Sequence, residues 1–241
     1  MKINAFLPKF LACMVAAITT AALLLSLGNS GTIPWFTPPI VFSLVGFCLL
    51  AGLVLPFLWH HKMNRNGLYA RLYNLVKYTV ALNLAIFGWR KIFGLQFVVP
   101  EEVSNLPMNQ QTGEWLTWYY FGHSPVFGTL IALVQIVGAY LLMFKKSFLP
   151  AALLLFGFMV HLTCINVFYR MNMGALVQSF AISIGLIYLL WPFRSQLIQF
   201  LKTPTPAPFT SNRPNVVNGM LVRAALVIFS IGFVIYCKYY I

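Results

Sequence analysis

Long apolar runs broken by short polar stretches dominate this chain. They cover residues 10–27, 40–59, 72–95, 125–144, 148–168, 174–191 and 217–236. Each is close to the roughly 20 residues a helix needs to cross the hydrocarbon core of a bilayer. A spanning segment must satisfy its own backbone hydrogen bonds, so the pattern predicts helices rather than open strands. The expected fold is all-α: a polytopic transmembrane bundle of about seven spans. The breaks have their own character. GNSGTIPWFTPP is a Gly/Pro-rich turn, HHKMNRNGLYAR is basic, and residues 96–124 form the longest outer connection. PFRSQLIQFLKTPTPAPFTSNRPN has a proline-rich half that reads as a linker. Pro56 is placed to kink the second span. The first run is too long for a signal-peptide core and lacks a good cleavage site near Ser26 and Gly28, so it reads as a retained span.

Composition agrees with that pattern. Of 241 residues 60% are hydrophobic and 8% charged, with a mean hydropathy of +0.82. A soluble domain carries about 25% charged residues, so no large water-facing surface is expected. The net charge of +13 raises the question of nucleic acid, but the basic residues lie at span ends and not along one soluble face, which argues against it. Cytoplasmic loops collect Lys and Arg. With the N-terminus inside, the inner segments hold Lys2, Lys9, Lys62, Arg65, Arg71, Lys77, Lys145, Lys146, Arg194, Lys202, Arg213 and Arg223. The outer segments hold Arg90, Lys91, Arg170 and Lys238, together with the acids Glu101, Glu102 and Glu114. That asymmetry places the C-terminus outside.

Polar residues inside apolar runs are costly and therefore informative. The third run carries Asn83 and Arg90, seven residues apart and near one helix face. The fourth carries Gln135, the fifth His161, Asn166 and Arg170, and the sixth Gln178 with Ser179 and Ser183. These four consecutive helices are expected to turn polar faces toward one another. At their outer ends Arg90, Lys91, His123 and Arg170, with Glu114 and the aromatic run EWLTWYYFGHSP, make a candidate cationic, aromatic-lined pocket. Forked guanidinium donors and ring faces suit an anionic or quinone-like ligand. The candidate binding residues are Asn83, Arg90, Glu114, His123, Gln135, His161, Asn166, Arg170 and Gln178, with His161 the candidate proton carrier. Plainer roles exist for each. The amides join helices at about 0.6 kcal/mol apiece, the aromatics form an interfacial belt, Lys91 snorkels and Arg90 bridges to Glu114 or another loop acid. Cys13, Cys48, Cys164 and Cys237 are widely spaced in apolar stretches and read as small hydrophobes, not a redox pair. His60 and His61, adjacent on a helix, point apart and are not expected to hold a metal. No HExxH, phosphate-binding glycine loop or Ser-His-Asp order occurs.

Residues 69–190 resemble the DoxX family of small bacterial membrane proteins. The resemblance rests on KYTVALNLAIFGWRKIFGLQF, WLTWYYFGHSP, GTLIALVQIVGAYLLMFKKS and HLTCINVFYRMNMGALVQS. Asn166, Phe168 and Tyr169 match the family's asparagine and aromatic pair, whereas Arg170 stands where related sequences often have an acid. The division that follows is two N-terminal helices (1–68), a DoxX-like four-helix core (69–192), and a linker with a last helix (193–241). The resemblance implies a bacterial cytoplasmic membrane. Some relatives are associated with thiosulfate oxidation coupled to quinone, or with membrane complexes handling oxidative and sulfur stress; most have no assigned activity. The leading expectation is a subunit of a redox- or quinone-linked process, beside a partner membrane protein or oxidoreductase, with a quinone as ligand. A small-anion transporter and a structural or assembly factor without chemistry of its own are the alternatives.

Overall fold

A computed structural model describes residues 6–28, 34–61, 67–203 and 216–240. The described residues form helices and turns only: α1 (Phe6–Gly28), α2 (Pro38–His61), α3 (Leu68–Ile92), α4 (Glu101–Ser104), α5 (Gly113–Gly122), α6 (Pro125–Met143), α7 (Phe148–Phe168), α8 (Met173–Leu190), α9 (Arg194–Lys202) and α10 (Val216–Tyr240). The expected all-α class holds. Five helices are long and apolar enough to cross a membrane: α1, α2, α6, α7, and the run Met173–Lys202 that joins α8 to α9 through a tight turn at Trp191–Phe193. The other two expected spans differ for identifiable reasons. α3 has the length, at 25 residues, but carries Arg71, Lys77, Arg90 and Lys91. Within α10 the described apolar stretch is Leu221–Gly232.

The chain divides into two units, Met1–Arg194 and Ser195–Ile241. In the second, α9 is amphipathic and exposed and α10 runs through the last apolar stretch. The proline-rich linker expected at 204–215 lies outside the described residues.

In the first unit five helices close a ring. α1 packs on α3 and α8, α3 on α6, α6 on α7, and α7 on α8; α2 lies along α1. The sequence pattern had set α1 apart from a polar four-helix core, yet α1 contributes polar groups to the same interior: Thr79 Oγ1 donates to Thr19 Oγ1 at 3.0 Å. Lipid tails are as apolar as leucine, so close backbone approach rather than water exclusion holds such helices together. Gly88 of α3 provides one. A Cβ there would stand 2.5 Å from Ile136 Cγ1 and 3.1 Å from the Ala132 carbonyl of α6. Around these contacts the side chains of Leu84, Leu142, Leu155, Met159, Leu186 and Leu189 are fully buried. Phe42, Phe47, Leu50 and Phe57 of α2 stay exposed, the surface a lipid-facing helix presents. Pro56 sits inside α2 without ending it.

One end of this unit is shaped by helix caps. α3 stops at Ile92, three residues before the apolar run does, because Gly94 takes φ 66°. Its N–H bonds to Lys91 O at 3.2 Å and that of Leu95 to Arg90 O at 2.8 Å, closing a Schellman turn. α7 ends the same way, with Arg170 at φ 52° and the Met171 N–H on Asn166 O at 3.0 Å. The connection 96–124, expected as a belt-like loop, winds its aromatic run into α5. Thr112 and Ser124 cap α5 and α6, with Pro125 at the first position of α6. Asn172 caps α8, accepting the Ala175 N–H at 2.9 Å. The opposite end carries a tyrosine cluster, in which Tyr73 donates to Leu189 O at 2.7 Å beside the Tyr188 ring.

Candidate functional site

On α3 the positions facing the interior run Leu84, Gly88, Lys91 at spacings of four and three, one stripe of a helix. The first two are buried, and Gly88 draws α6 so close that Lys91 meets Gln135. Lys91 Nζ donates to Gln135 Oε1 at 2.8 Å and to Phe87 O at 3.3 Å. The Phe97 and Phe87 ring centres lie 5.6 and 5.9 Å from the same ammonium. The expectation that Lys91 snorkels outward is therefore wrong. The helix ends one residue later, and Gln135 gives the ammonium an inward acceptor. No acid pairs with it among the described residues. Ring faces and amide oxygens replace part of its hydration, at roughly 0.5–2 kcal/mol per cation–π contact.

Lys91, Phe97 and Leu162 form a wall between two cavities. Phe97 is held at φ 65°, a conformation that costs a bulky L-residue about 1–3 kcal/mol and collects at functional sites. Packing enforces it: its ring stacks on Phe121 at 5.3 Å and meets Trp118 edge-on at 6.4 Å. The larger cavity, about 1120 Å³, is aromatic, with Tyr119, Tyr120, Phe127, Phe158, His123 and His161 among its lining. Phe121 and Phe127 lie parallel at 6.1 Å, 5° apart. The smaller cavity, about 640 Å³, is the more polar of the two and is cationic. Arg90, Lys91, Ser26, Gln135, Asn166 and Gln178 line it, with no acid in its wall.

The predicted residues thus divide between two chambers. His123 and His161 face the aromatic one; Arg90, Gln135, Asn166 and Gln178 face the cationic one. Asn83 lies behind the latter, donating to Gln178 Oε1 at 3.1 Å, while Gln178 Nε2 donates to Ala22 O at 2.7 Å. Asn166 Nδ2 donates to Ala175 O at 3.0 Å and ties α7 to α8. Glu114 lines neither chamber, and Arg90 forms no ion pair with it. Its carboxylate accepts Asn172 Nδ2 at 2.6 Å, pinning α5 to the α8 cap. Arg170 is exposed and lines neither chamber; its place is the left-handed turn that ends α7.

Sequence reasoning placed Lys91 at the rim of the pocket but left it out of the binding residues, and it missed Phe97, Ser26 and Asn172. The Leu84, Gly88, Lys91 stripe was a signal available for Lys91. The others depend on which helices meet. Outside the chambers, Cys13 is buried and Cys48 half-buried, but Cys164 faces outward; the three are free thiols. His60 packs against His61 and Phe6 rings at 5.4 and 5.6 Å. No cluster of metal-ligating side chains occurs among the described residues.

Five helices long and apolar enough to cross a membrane define the class, a multi-pass helical membrane protein. Within that class no family model, curated protein or solved structure matches this chain.

Proposed function

We propose that the chain is a DoxX-like membrane protein that holds a quinone-type ring in its aromatic chamber, as the membrane subunit of a redox-linked process. One observation carries the reading: an ammonium unpaired with any acid, Lys91, stands in the wall of a chamber lined by parallel and edge-on rings. A quinone ring offers two faces for aromatic contact and carbonyl oxygens that accept a charged donor. Lys91 uses two of its three protons on Gln135 and Phe87, leaving one for such an oxygen. His161 and His123 on the same chamber are placed to move protons near neutral pH. An oxidoreductase partner would supply the electrons. In this reading α3 and α10 complete seven spans, with the N-terminus cytoplasmic and the C-terminus outside in a bacterial cytoplasmic membrane. The basic residues of α3 are compatible with that count: Arg71 and Arg90 lie near its two ends, Lys77 is long enough to reach toward the interface from the tenth position, and Lys91 turns to the interior.

The test is titration of detergent-purified protein with a short-tailed benzoquinone, read by quenching of tryptophan fluorescence. Wild type should saturate. Lys91→Met and Tyr120→Ala should each weaken binding about tenfold, the loss of one charge-assisted hydrogen bond or stacking face. Arg170→Ala should bind as wild type. Equal affinity across all four proteins would remove the site.

A further inference from the structure

The cationic chamber is a second site, sharing the wall of Lys91, Phe97 and Leu162 with the aromatic one, and we propose that it binds a phosphate group, carried by an anionic phospholipid or free in solution. Four features converge on it. Arg90 and Lys91 bring two positive charges and the lining brings no acid. The chamber also receives the start of α8, since Asn172, Met173, Gly174 and Ala175 all line it. Asn172 caps the Ala175 N–H, and the Met173 and Gly174 N–H groups have no acceptor among the described residues. An 18-residue helix presents roughly half a positive charge at such an end, with free N–H groups pointing outward.

The third feature is Ser26 of α1. It is 4% exposed and lines the chamber, and its hydroxyl has no hydrogen-bond partner. A helical serine ordinarily turns back to the carbonyl four residues earlier. Here that carbonyl, Ala22 O, already serves the helix and takes Gln178 Nε2 at 2.7 Å. The hydroxyl is left as a donor with no acceptor, in a residue that lines the chamber, and an orphaned buried hydroxyl is costly unless a group bound there accepts from it. Fourth, the one Lys91 proton not used on Gln135 and Phe87 can turn to this side whenever the aromatic chamber does not take it. Two cations, a helix terminus and a hydroxyl arranged around one space match the four oxygens and the one or two negative charges of a phosphate. Leu25, Leu84, Leu95 and Met159 in the same lining leave apolar wall beside it, which a lipid would use and free phosphate would not.

Two arms separate the sources. Native mass spectrometry after reconstitution in phosphatidylglycerol or phosphatidylcholine bilayers reads retained lipid; calorimetry in detergent with inorganic phosphate reads the free ion. Wild type should either retain phosphatidylglycerol over phosphatidylcholine or bind phosphate. Arg90→Gln and Ser26→Ala should each lower that binding, the first about tenfold, and Arg90→Lys should recover part of the loss. His123→Ala, confined to the aromatic chamber, should leave it unchanged, so failure here and failure of the quinone reading are told apart. Thermal melting of each variant checks folding. Absence of both kinds of binding in wild type, or equal binding by wild type and a folded Arg90→Gln protein, would overturn the proposal.

Discussion

The residue that organises this molecule is Lys91. A lysine near a helix end usually reaches for the interface; this one turns inward because Gly88 brings α6 within reach and Gln135 offers an acceptor. An ammonium kept in an apolar bundle without a carboxylate is expensive, so its removal should cost the fold little while costing the ligand much. Lys91→Met should melt within about 1 kcal/mol of wild type in detergent. A far larger loss would make Lys91 a structural cation instead. Arg170 makes the opposite case. Its φ of 52° serves the turn after α7, and left-handed geometry costs an L-residue about 1–2 kcal/mol. Arg170→Gly should raise the melting temperature, and a fall would show that the guanidinium holds something in place. A charged side chain in an apolar run looks the same in a sequence whether it serves a ligand or a turn. Arg170 was therefore read as a ligand residue and Lys91 as a snorkelling one.

Among the elements, the pairing of α3 with α6 matters most, since it sets the distance between Lys91 and Gln135. Gly88→Val would drive a branched side chain into Ile136 and the Ala132 carbonyl. It should cost about 1–3 kcal/mol and also weaken quinone binding, whereas Gly157→Ala, with open space around its Cα, should do neither. If both variants behave alike in melting and binding, close packing at Gly88 does not position the site. The helices themselves were legible: apolar runs fix α1, α2, α6, α7 and α8 to within a few residues, because hydrocarbon imposes the length. Their neighbours were not. Periodicity tells which face of a helix is polar, but not that α1 lends Thr19, Ala22 O and Ser26 to the interior of α3 and α8. The end of α3 was misjudged by three residues because Phe93 and Leu95 continue the apolar run through the turn that Gly94 makes. Similarly, an aromatic stretch in a loop gives no sign that it will coil into α5 and wall a chamber.

On the scale of the first unit, the candidate sites are concentrated at one end. Both chambers, the three helix caps and both Schellman turns lie where α3 and α7 finish and α6 and α8 begin, and the acids Glu101, Glu102 and Glu114 belong to the connection there. In the proposed threading, read from the Lys and Arg asymmetry, that end faces outside. Thiol-reactive labelling of single cysteines introduced at positions 102 and 145 should mark opposite faces of oriented vesicles; labelling from one face alone would reverse the threading. The most direct trial of the account is to photolabel the reconstituted protein with a light-activated quinone analogue and map the modified peptides. Adducts should fall on Phe97, the α5 segment 116–121, Phe127 and the α7 segment 158–165, and excess unmodified quinone should suppress them. Adducts confined to the lipid-facing residues of α2, or insensitive to competitor, would contradict the reading of the aromatic chamber as a ligand site.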